Sequence, residues 1–309
     1  MPADPNVFSG YYKDYLKAKY NILGEAFFVN NATVRPVGGV AGSDSPNNGL
    51  TPLQPFATVD YAIGRCTANR GDGIFVFGNH AETVTAAITL DVAGVQIIGI
   101  EQGALKPTIT VNGAIDCMTV TAARCSIRNL LLTIATTDAA TALINVAAAN
   151  CLISDVKMIP SATSVNVVDC ITLATGGDDC YIEGIDCRNT TVAVNSFVNI
   201  EAAVARLTIK DSFFFGDVAT GGIIDAAVVA TQLFIENTVF GTIGTTMPPV
   251  LLDGNPTGVL KYVHALGTHT TIASNIQTGN LLRLTNLFVS EVTDSSNQAT
   301  DLIPIKDVE

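Results

Sequence analysis

One short pattern recurs along most of the chain and constrains its fold more than any other feature. The pattern is an Ile or Leu, any residue, a small or turn-forming residue, and usually another apolar residue. Its copies begin at Ile97, Ile127, Ile153, Ile182, Ile209, Ile235, Leu260 and Leu284. The copies are 24–30 residues apart over almost 190 residues. A repeat of this length is typical of a solenoid, in which each repeat forms one coil of the chain.

The third position of each copy holds a residue suited to a sharp turn. This position is occupied by Asn129, Asp155, Asp211, Asn237 and Asn286, by Gly99 and Gly184 in two other copies, and by Tyr262 as the exception. Asn, Asp and Gly tolerate a left-handed backbone better than other residues. The pattern therefore predicts a structural turn ladder, with one such residue at the same angular place on each coil. Tyr262 predicts a changed turn on its coil.

A pair of apolar residues precedes each of several copies. The pairs are Met118 and Val120, Ile144 and Val146, Ile171 and Leu173, and Val198 and Ile200. This alternation indicates strands with one buried face, and the larger offset of the later pairs indicates a two-residue insertion. We therefore predict an all-β fold, a parallel β-helix of about nine rungs. A β-sandwich with coincidental spacing is the alternative, although sandwich strands keep no common turn residue at a fixed period.

Composition and charge exclude several classes of partner. The net charge is −12, and the basic residues form no run, so a nucleic-acid partner is not expected. No stretch of 18 apolar residues and no secretory signal is visible, so we expect no membrane partner and synthesis in the cytoplasm. Seven Cys without zinc-type spacing favour reduced, buried thiols stacked between coils over a disulfide ladder.

Three regions follow from these patterns. Residues 1–55 form an N-terminal arm and leading segment, residues 56–290 form the β-helix with a capping helix, and residues 291–309 form a C-terminal tail. The capping helix is predicted at Pro55–Ile63, with Phe56, Val59 and Ile63 on one face, and would plug the N-terminal end of the column.

Residues 7–23 are rich in Tyr and allow two interpretations. They hold Tyr11, Tyr12, Tyr15 and Tyr20. They either form an extra capping helix that lies on the column or an arm that docks on a partner, since Tyr is favoured at interfaces. The C-terminal tail is interpreted as a loose tail or a second contact arm.

The leading segment resembles that of the pectate-lyase-like superfamily of right-handed β-helix proteins. The resemblance is carried by Phe28-Val29, by Gly42-Ser43-Asp44, by Pro55-Phe56-Ala57-Thr58-Val59 and by Gly71-Asp72-Gly73-Ile74. With the repeats it covers about residues 27–290. It implies right-handed coiling, and it says little about function because the superfamily holds lyases, hydrolases, adhesins and phage structural proteins.

The best candidate for an active site is the run Gly176-Gly177-Asp178-Asp179-Cys180. It resembles one motif of polygalacturonase-type glycoside hydrolases, whose other three motifs have no match here. Asp178 and Asp179 also suit a structural turn. His264 and His269 are five residues apart without neighbouring ligands, so a solvated or core role is favoured over a metal site. We expect no catalytic residues, no metal and no cofactor.

These observations favour a non-catalytic virion structural protein over an enzyme. The lack of a catalytic constellation and the arm at each end of a compact column favour a capsid decoration or cement protein on the capsid surface of a tailed bacteriophage, and the resemblance implies that such a protein forms a trimer. Its expected partners are its own copies, as a homotrimer, and the major capsid protein or another virion protein. Phe213-Phe214-Phe215 supports such contacts, because the three side chains cannot all point inward. The alternatives are a polysaccharide-degrading enzyme like a tail spike and a tail or baseplate fibre module.

Overall fold

The chain winds into a parallel β-solenoid of the right-handed type, which confirms the predicted fold class. The computed structural model describes residues 5–32, 39–135, 139–162, 164–225, 230–243, 247–252, 254–267, 276–278, 282–291 and 303–305. The column makes about seven turns rather than the predicted nine. The difference arises because the strands at the two ends belong to incomplete turns.

Strands are numbered in chain order and form three faces. Face 1 is a ten-stranded parallel sheet with one strand from each coil. Its members are β1 (Ala26–Val29), β2 (Gly73–Val76), β5 (Gln96–Gly99), β8 (Ser126–Arg128), β11 (Leu152–Ser154), β14 (Tyr181–Glu183), β16 (Thr208–Lys210), β18 (Leu233–Glu236), β21 (Gly258–Lys261) and β24 (Leu282–Thr285). Ile97, Ile127, Ile153, Ile182, Ile209, Ile235, Leu260 and Leu284 are in register across it, so the repeat marks the central residue of this face.

Faces 2 and 3 belong to one sixteen-stranded sheet that bends around the column. Face 2 holds β3 (Ala81–Val84), β6 (Thr108–Val111), β9 (Leu131–Ile134), β12 (Lys157–Ile159), β15 (Asp186–Ile200), β17 (Phe213–Asp225), β19 (Val239–Thr242), β22 (His264–Gly267), β25 (Leu287–Glu291) and β26 (Ile303–Ile305). Face 3 holds β4 (Ile88–Leu90), β7 (Met118–Val120), β10 (Ala140–Val146), β13 (Val167–Leu173), β20 (Val250–Leu252) and β23 (Ile276–Thr278). The long strands β15 and β17 continue from face 2 into face 3. The described part of the C-terminal tail, β26, pairs antiparallel with β25 at the end of the column.

The core is a continuous file of Ile, Val, Leu, Phe and Cys side chains inside the coils. The predicted apolar pairs lie in face 3, where Ile144 pairs with Met118 and Ile171. At the corner of face 3, two consecutive residues of several coils point inward, such as Leu143 with Ile144 and Cys170 with Ile171. The residues on either side of that corner therefore point outward and converge. This geometry brings polar side chains together outside face 3.

Helix α2 (Val59–Ile63) covers the N-terminal end of the column. Val59 and Ile63 pack into the core, as predicted, but the helix is shorter than the predicted Pro55–Ile63. Phe56 precedes it, because its backbone bonds to Phe28 and Asn30 in the manner of a strand. Asp44 accepts bonds from the Ala57 and Thr58 amides, so the Gly-Ser-Asp loop fixes the start of the helix.

Helix α1 (Pro5–Tyr20) lies on the outer surface of face 1 at the first coils. It forms a second, small core in which Leu16 packs with Phe28, Phe75 and Ile98. The residues adjacent to these in the face 1 strands point inward and belong to the main core. At the first coils, both sides of the sheet are therefore covered. Within the described part of the chain, neither helix has the length and apolarity to cross a membrane.

Candidate functional site

The predicted turn residues all lie directly after strands of face 1. Asn129, Asp155, Asp211, Asn237 and Asn286 have φ between 47° and 55°, in the left-handed region. The amide of each of the first three donates to a carbonyl of the next coil, as from Asn129 to Ser154 (3.0 Å). Asn237 Nδ2 also donates to Asp211 Oδ1 at 2.6 Å. The residues therefore stand in one file along the column.

Gly99 and Tyr262 behave differently from the expectation for their coils. Gly99 is in strand β5. A Cβ at this position would lie 2.0 Å from the carbonyl oxygen of Asn129, so the close approach of the two coils requires glycine. Tyr262 adopts the same turn as its neighbours, with φ 52°. The predicted change of turn at Tyr262 is therefore wrong, because the bond from its amide to the Thr285 carbonyl of the next coil holds even a Tyr in the left-handed region.

A second turn ladder, which the sequence patterns did not reveal, precedes face 1. Its members are Asn69, Gly94, Arg124, Asn150, Asp179, Arg206 and Gln232, with φ between 54° and 79°. Each of the first six donates its amide to a carbonyl of the next coil. Because Arg and Gln are not typical turn residues, residue type alone hid this column. The short strands of face 1 are thus fixed by a left-handed turn at both ends.

Of the acidic pair in the candidate active site, Asp179 is a member of this second ladder and Asp178 directly precedes it. Asp178 Oδ1 accepts a bond from the Ala205 amide of the next coil at 2.7 Å. Asp179 is at a left-handed position and is bound by both Nε and Nη2 of Arg206. Arg206 holds the pKa of the Asp179 carboxyl below its ordinary value. Both carboxylates therefore stabilise the turn between coils.

The four Tyr residues of helix α1 divide into two pairs. Tyr12 and Tyr20 pack against the small core, with ring centroids 6.4 Å from Phe77 and 5.8 Å from Phe75, respectively. Tyr11 and Tyr15 are 77% and 57% exposed. The helix thus lies on the column, as the first interpretation of this segment expected. Tyr11 and Tyr15, one helical turn apart, are the pair that an incoming partner would meet.

His264 and the seven Cys residues serve packing in the described part of the chain. His264 stacks on Phe288, with ring centroids 4.6 Å apart, and burial lowers the pKa of its imidazole. His269 lies outside the described residues.

All seven Cys are free thiols. Cys125, Cys151 and Cys180 follow the second ladder on successive coils, which matches the predicted stack. In the described part of the chain, no group of three or more His, Cys, Asp or Glu is arranged to hold a metal ion.

An open groove of about 540 Å³ lies between the end of helix α1 and the first turn ladder. We call it the cationic groove, because its lining includes the basic residues Lys19, Lys106, Arg128 and Lys157, beside Asp155 and Asp186. Successive coils supply this lining. Lys106 donates to the carbonyl oxygen of Asp155 at 2.7 Å. Burial lowers the pKa of the Lys106 ammonium, an effect that Asp155 opposes and Lys157 reinforces.

Sequence reasoning missed the cationic groove because its basic residues are widely spaced in the chain. Lys19 comes from helix α1, and Arg128 from the end of strand β8. Coiling alone brings them together, so no local motif could reveal the site. The sequence matches no known family model and no curated protein. A function for the chain therefore rests on its geometry and on the resemblance of its leading segment and repeats.

Proposed function

We propose that the chain is a non-catalytic structural component of a virion, a decoration protein that binds the capsid of a tailed phage as a homotrimer. The observation that carries the proposal is an apolar stripe on the outer surface of face 2. It consists of Phe213, Phe215, Val239, Leu266 and Phe288, all partly exposed. Strand pairing places Phe213 beside Val239 on the next coil. It also places Phe215 and Leu266 in the same file, two coils apart.

The stripe favours lateral contact between columns. Phe213 and Phe215 stack on each other with centroids 5.9 Å apart, while Phe214 points into the core. The stripe lies on the outer surface of the column, in a chain whose net charge is −12. A soluble monomer would place polar groups on such a surface. Side-by-side packing of three copies would cover the stripe with closed symmetry. The capsid location is supported by the resemblance to β-helix proteins of phages.

Two further features support a structural role. Asp178 and Asp179, the best candidates for catalysis, are both bound to the neighbouring coil. Tyr11 and Tyr15 project from a helix that is anchored on the column, which provides a second contact surface for a virion protein.

The mass of the particle in solution tests the assembly. We expect three times the 32.2 kDa chain mass by light scattering. The double variant Phe213→Glu, Phe215→Glu should be monomeric, because it places charges in the contact. Val168→Glu is the matched control, since Val168 is 47% exposed on face 3, and it should remain trimeric. A monomeric wild-type chain would contradict the trimer.

A second experiment separates the structural role from an enzyme. The chain is incubated with acidic and neutral polysaccharides while reducing ends and unsaturated products are measured. We expect no turnover. Turnover that is lost in Asp178→Asn or Asp179→Asn would show a depolymerase and reject the proposal. Electron microscopy of particles that co-purify with the chain then distinguishes a capsid from a tail location.

A further inference from the structure

The cationic groove concentrates positive charge in a protein that is acidic overall. Four of the sixteen Lys and Arg residues line it, although the chain carries 28 acidic residues. Of the two acidic residues in the lining, Asp186 is engaged by Arg188 at 2.7 Å. The four cations therefore outnumber the two carboxylates of the lining, one of which is shared with Arg188. Repulsion among like charges disfavours such a cluster unless an anion compensates it.

None of the four cations has a carboxylate partner within the described residues, although six ion pairs of other Lys and Arg residues are present there. Arg128 is the most informative of them. Its Nε is buried and has no hydrogen-bond partner in the described structure. A buried donor without a partner destabilises the folded state, and more so when it is charged. The guanidinium thus has unused capacity to donate, next to an open groove.

The spacing of the cations fits a ligand with several charged oxygens. Arg128 and Lys157 belong to neighbouring coils, which are about 4.8 Å apart along the column. Arg binds phosphate or carboxylate through a planar fork, and Lys adds a compact charge. The volume of about 540 Å³ falls in the range of small-molecule pockets. Tyr20 packs its ring toward Phe75 in the small core, so stacking on a sugar is not favoured.

We propose that the cationic groove binds a small ligand with at least two oxyanion groups, of the oligophosphate or tricarboxylate kind. Arg128 would bind one oxyanion, and Lys106 and Lys157 would neutralise the others. Lys19 connects the ligand to helix α1, so binding would also fasten this helix to the column. The inference is independent of the proposed virion role.

Calorimetry on the full chain at constant ionic strength tests the proposal. The probes are inorganic tripolyphosphate and citrate, with acetate as the singly charged control. We expect one saturable site per chain for tripolyphosphate or citrate, and none for acetate. Binding of only one of the two probes would assign the ligand chemistry to phosphate or to carboxylate. The absence of a saturable site for both probes at millimolar concentration would overturn the proposal.

Matched variants separate the groove from nonspecific attraction. Arg128→Gln and Lys157→Gln should each weaken binding at least about tenfold. Arg124→Gln is the control, because Arg124 is a cation of the second ladder, outside the groove, whose side chain bonds to Asn69. Equal weakening by Arg124→Gln and Arg128→Gln would overturn the proposal. Thermal unfolding without ligand checks that the variants are folded, and Lys157→Gln decides the outcome if Arg128→Gln is not.

Discussion

Arg206 and Asp179 occupy left-handed turn positions on neighbouring coils and form a two-pronged ion pair, with Arg206 Nη2 2.7 Å from Asp179 Oδ2. The pair links successive members of the second turn ladder. A motif that resembles part of a hydrolase site is thus explained by the needs of coiling. Asp fits because it tolerates a positive φ and also supplies an anion to the next coil.

Substitution of Asp179 separates its backbone role from its charge. We expect Asp179→Asn to change the unfolding midpoint very little, because Asn suits the same turn and the ion pair is exposed to solvent. Asp179→Val should lower the midpoint clearly, since a β-branched residue is strained at positive φ. Urea unfolding monitored by circular dichroism measures both. Equal loss in the two variants would show that charge, not backbone conformation, governs the position.

Tyr262 offers a way to stabilise the protein. It is 41% exposed and has φ 52°, where a bulky residue is strained. We expect Tyr262→Asn to raise the free energy of unfolding by about 1 kcal/mol, because Asn tolerates this conformation better. Tyr262→Phe keeps the strain and should have no effect. A loss in Tyr262→Asn would show that ring contacts such as that with Lys261, which Tyr262→Phe keeps, outweigh the strain.

The winding of the chain was predictable from the repeat because one turn of each coil requires a left-handed backbone. Residues such as Asn129 and Asp155 must accept a left-handed turn, and few residue types do so. The number of turns was overestimated, because incomplete end coils keep the sequence pattern of face 1 without the rest of the coil. Helix α2 was recognised, but its start was not, because the backbone bonds of Phe56 are set by distant strands.

The candidate site was much less predictable than the fold. The groove combines Lys19 with Arg128 and Lys157, which are more than 100 residues away in sequence. The second ladder tolerates Arg124 and Arg206 because their amides donate hydrogen bonds to carbonyl groups of the next coil, which stabilises the turn. Because this stabilisation comes from residues that are distant in sequence, the residue type at the turn does not reveal the turn. The Phe213-Phe214-Phe215 run was informative because strand alternation forces residues on both sides of Phe214 outward.

Asp169 is the centre of a buried polar network outside the corner of face 3. It is only 4% exposed, and its carboxylate accepts bonds from Asn195 (2.8 Å), Ser196 (2.6 Å) and Asn199 (2.9 Å). We expect Asp169→Ala to lower the free energy of unfolding by about 3 kcal/mol, since it leaves several donors without partners. Denaturant titration measures the change.

A neighbouring residue provides the control for Asp169. Val168 is exposed on the same strand, so Val168→Ala should stay within about 0.5 kcal/mol of the wild type. Asp169→Asn retains one acceptor oxygen and should lie between these values. A loss in Asp169→Ala no greater than that in Val168→Ala would mean that water replaces the carboxylate at no cost.

The thiols should be chemically silent until the chain unfolds. Six of the seven are buried, and the seventh, Cys66, is partly exposed. Burial raises the pKa of the Cys66 thiol to about 12, so little thiolate exists at pH 8. We expect iodoacetamide at pH 8 to label the native chain slowly, and the chain unfolded without reductant to take up seven labels by intact mass. Five labels would show a disulfide. Cys66→Ser is the control and should take up six.

Asp72 should make the protein sensitive to acid. Its buried carboxylate accepts bonds from Arg70 Nε (2.6 Å) and from the amides of Glu25 and Thr67 (2.7 Å each). Burial alone would raise the pKa of Asp72, but these bonds hold it below the ordinary value. A carboxyl whose pKa is lower in the folded state stabilises the fold above its unfolded pKa of about 3.9, and this contribution is lost as pH falls through the folded value.

Asp72→Asn should therefore be less stable than the wild type at pH 7, and the difference should shrink as the pH falls from 5 to below 3. Urea unfolding at a series of pH values measures this difference. Asp91→Asn, at an exposed position, should follow the wild-type pH dependence. A difference between Asp72→Asn and the wild type that stays constant down to pH 2 would show that shape and hydrogen-bond number matter at this position, and that the charge of Asp72 does not.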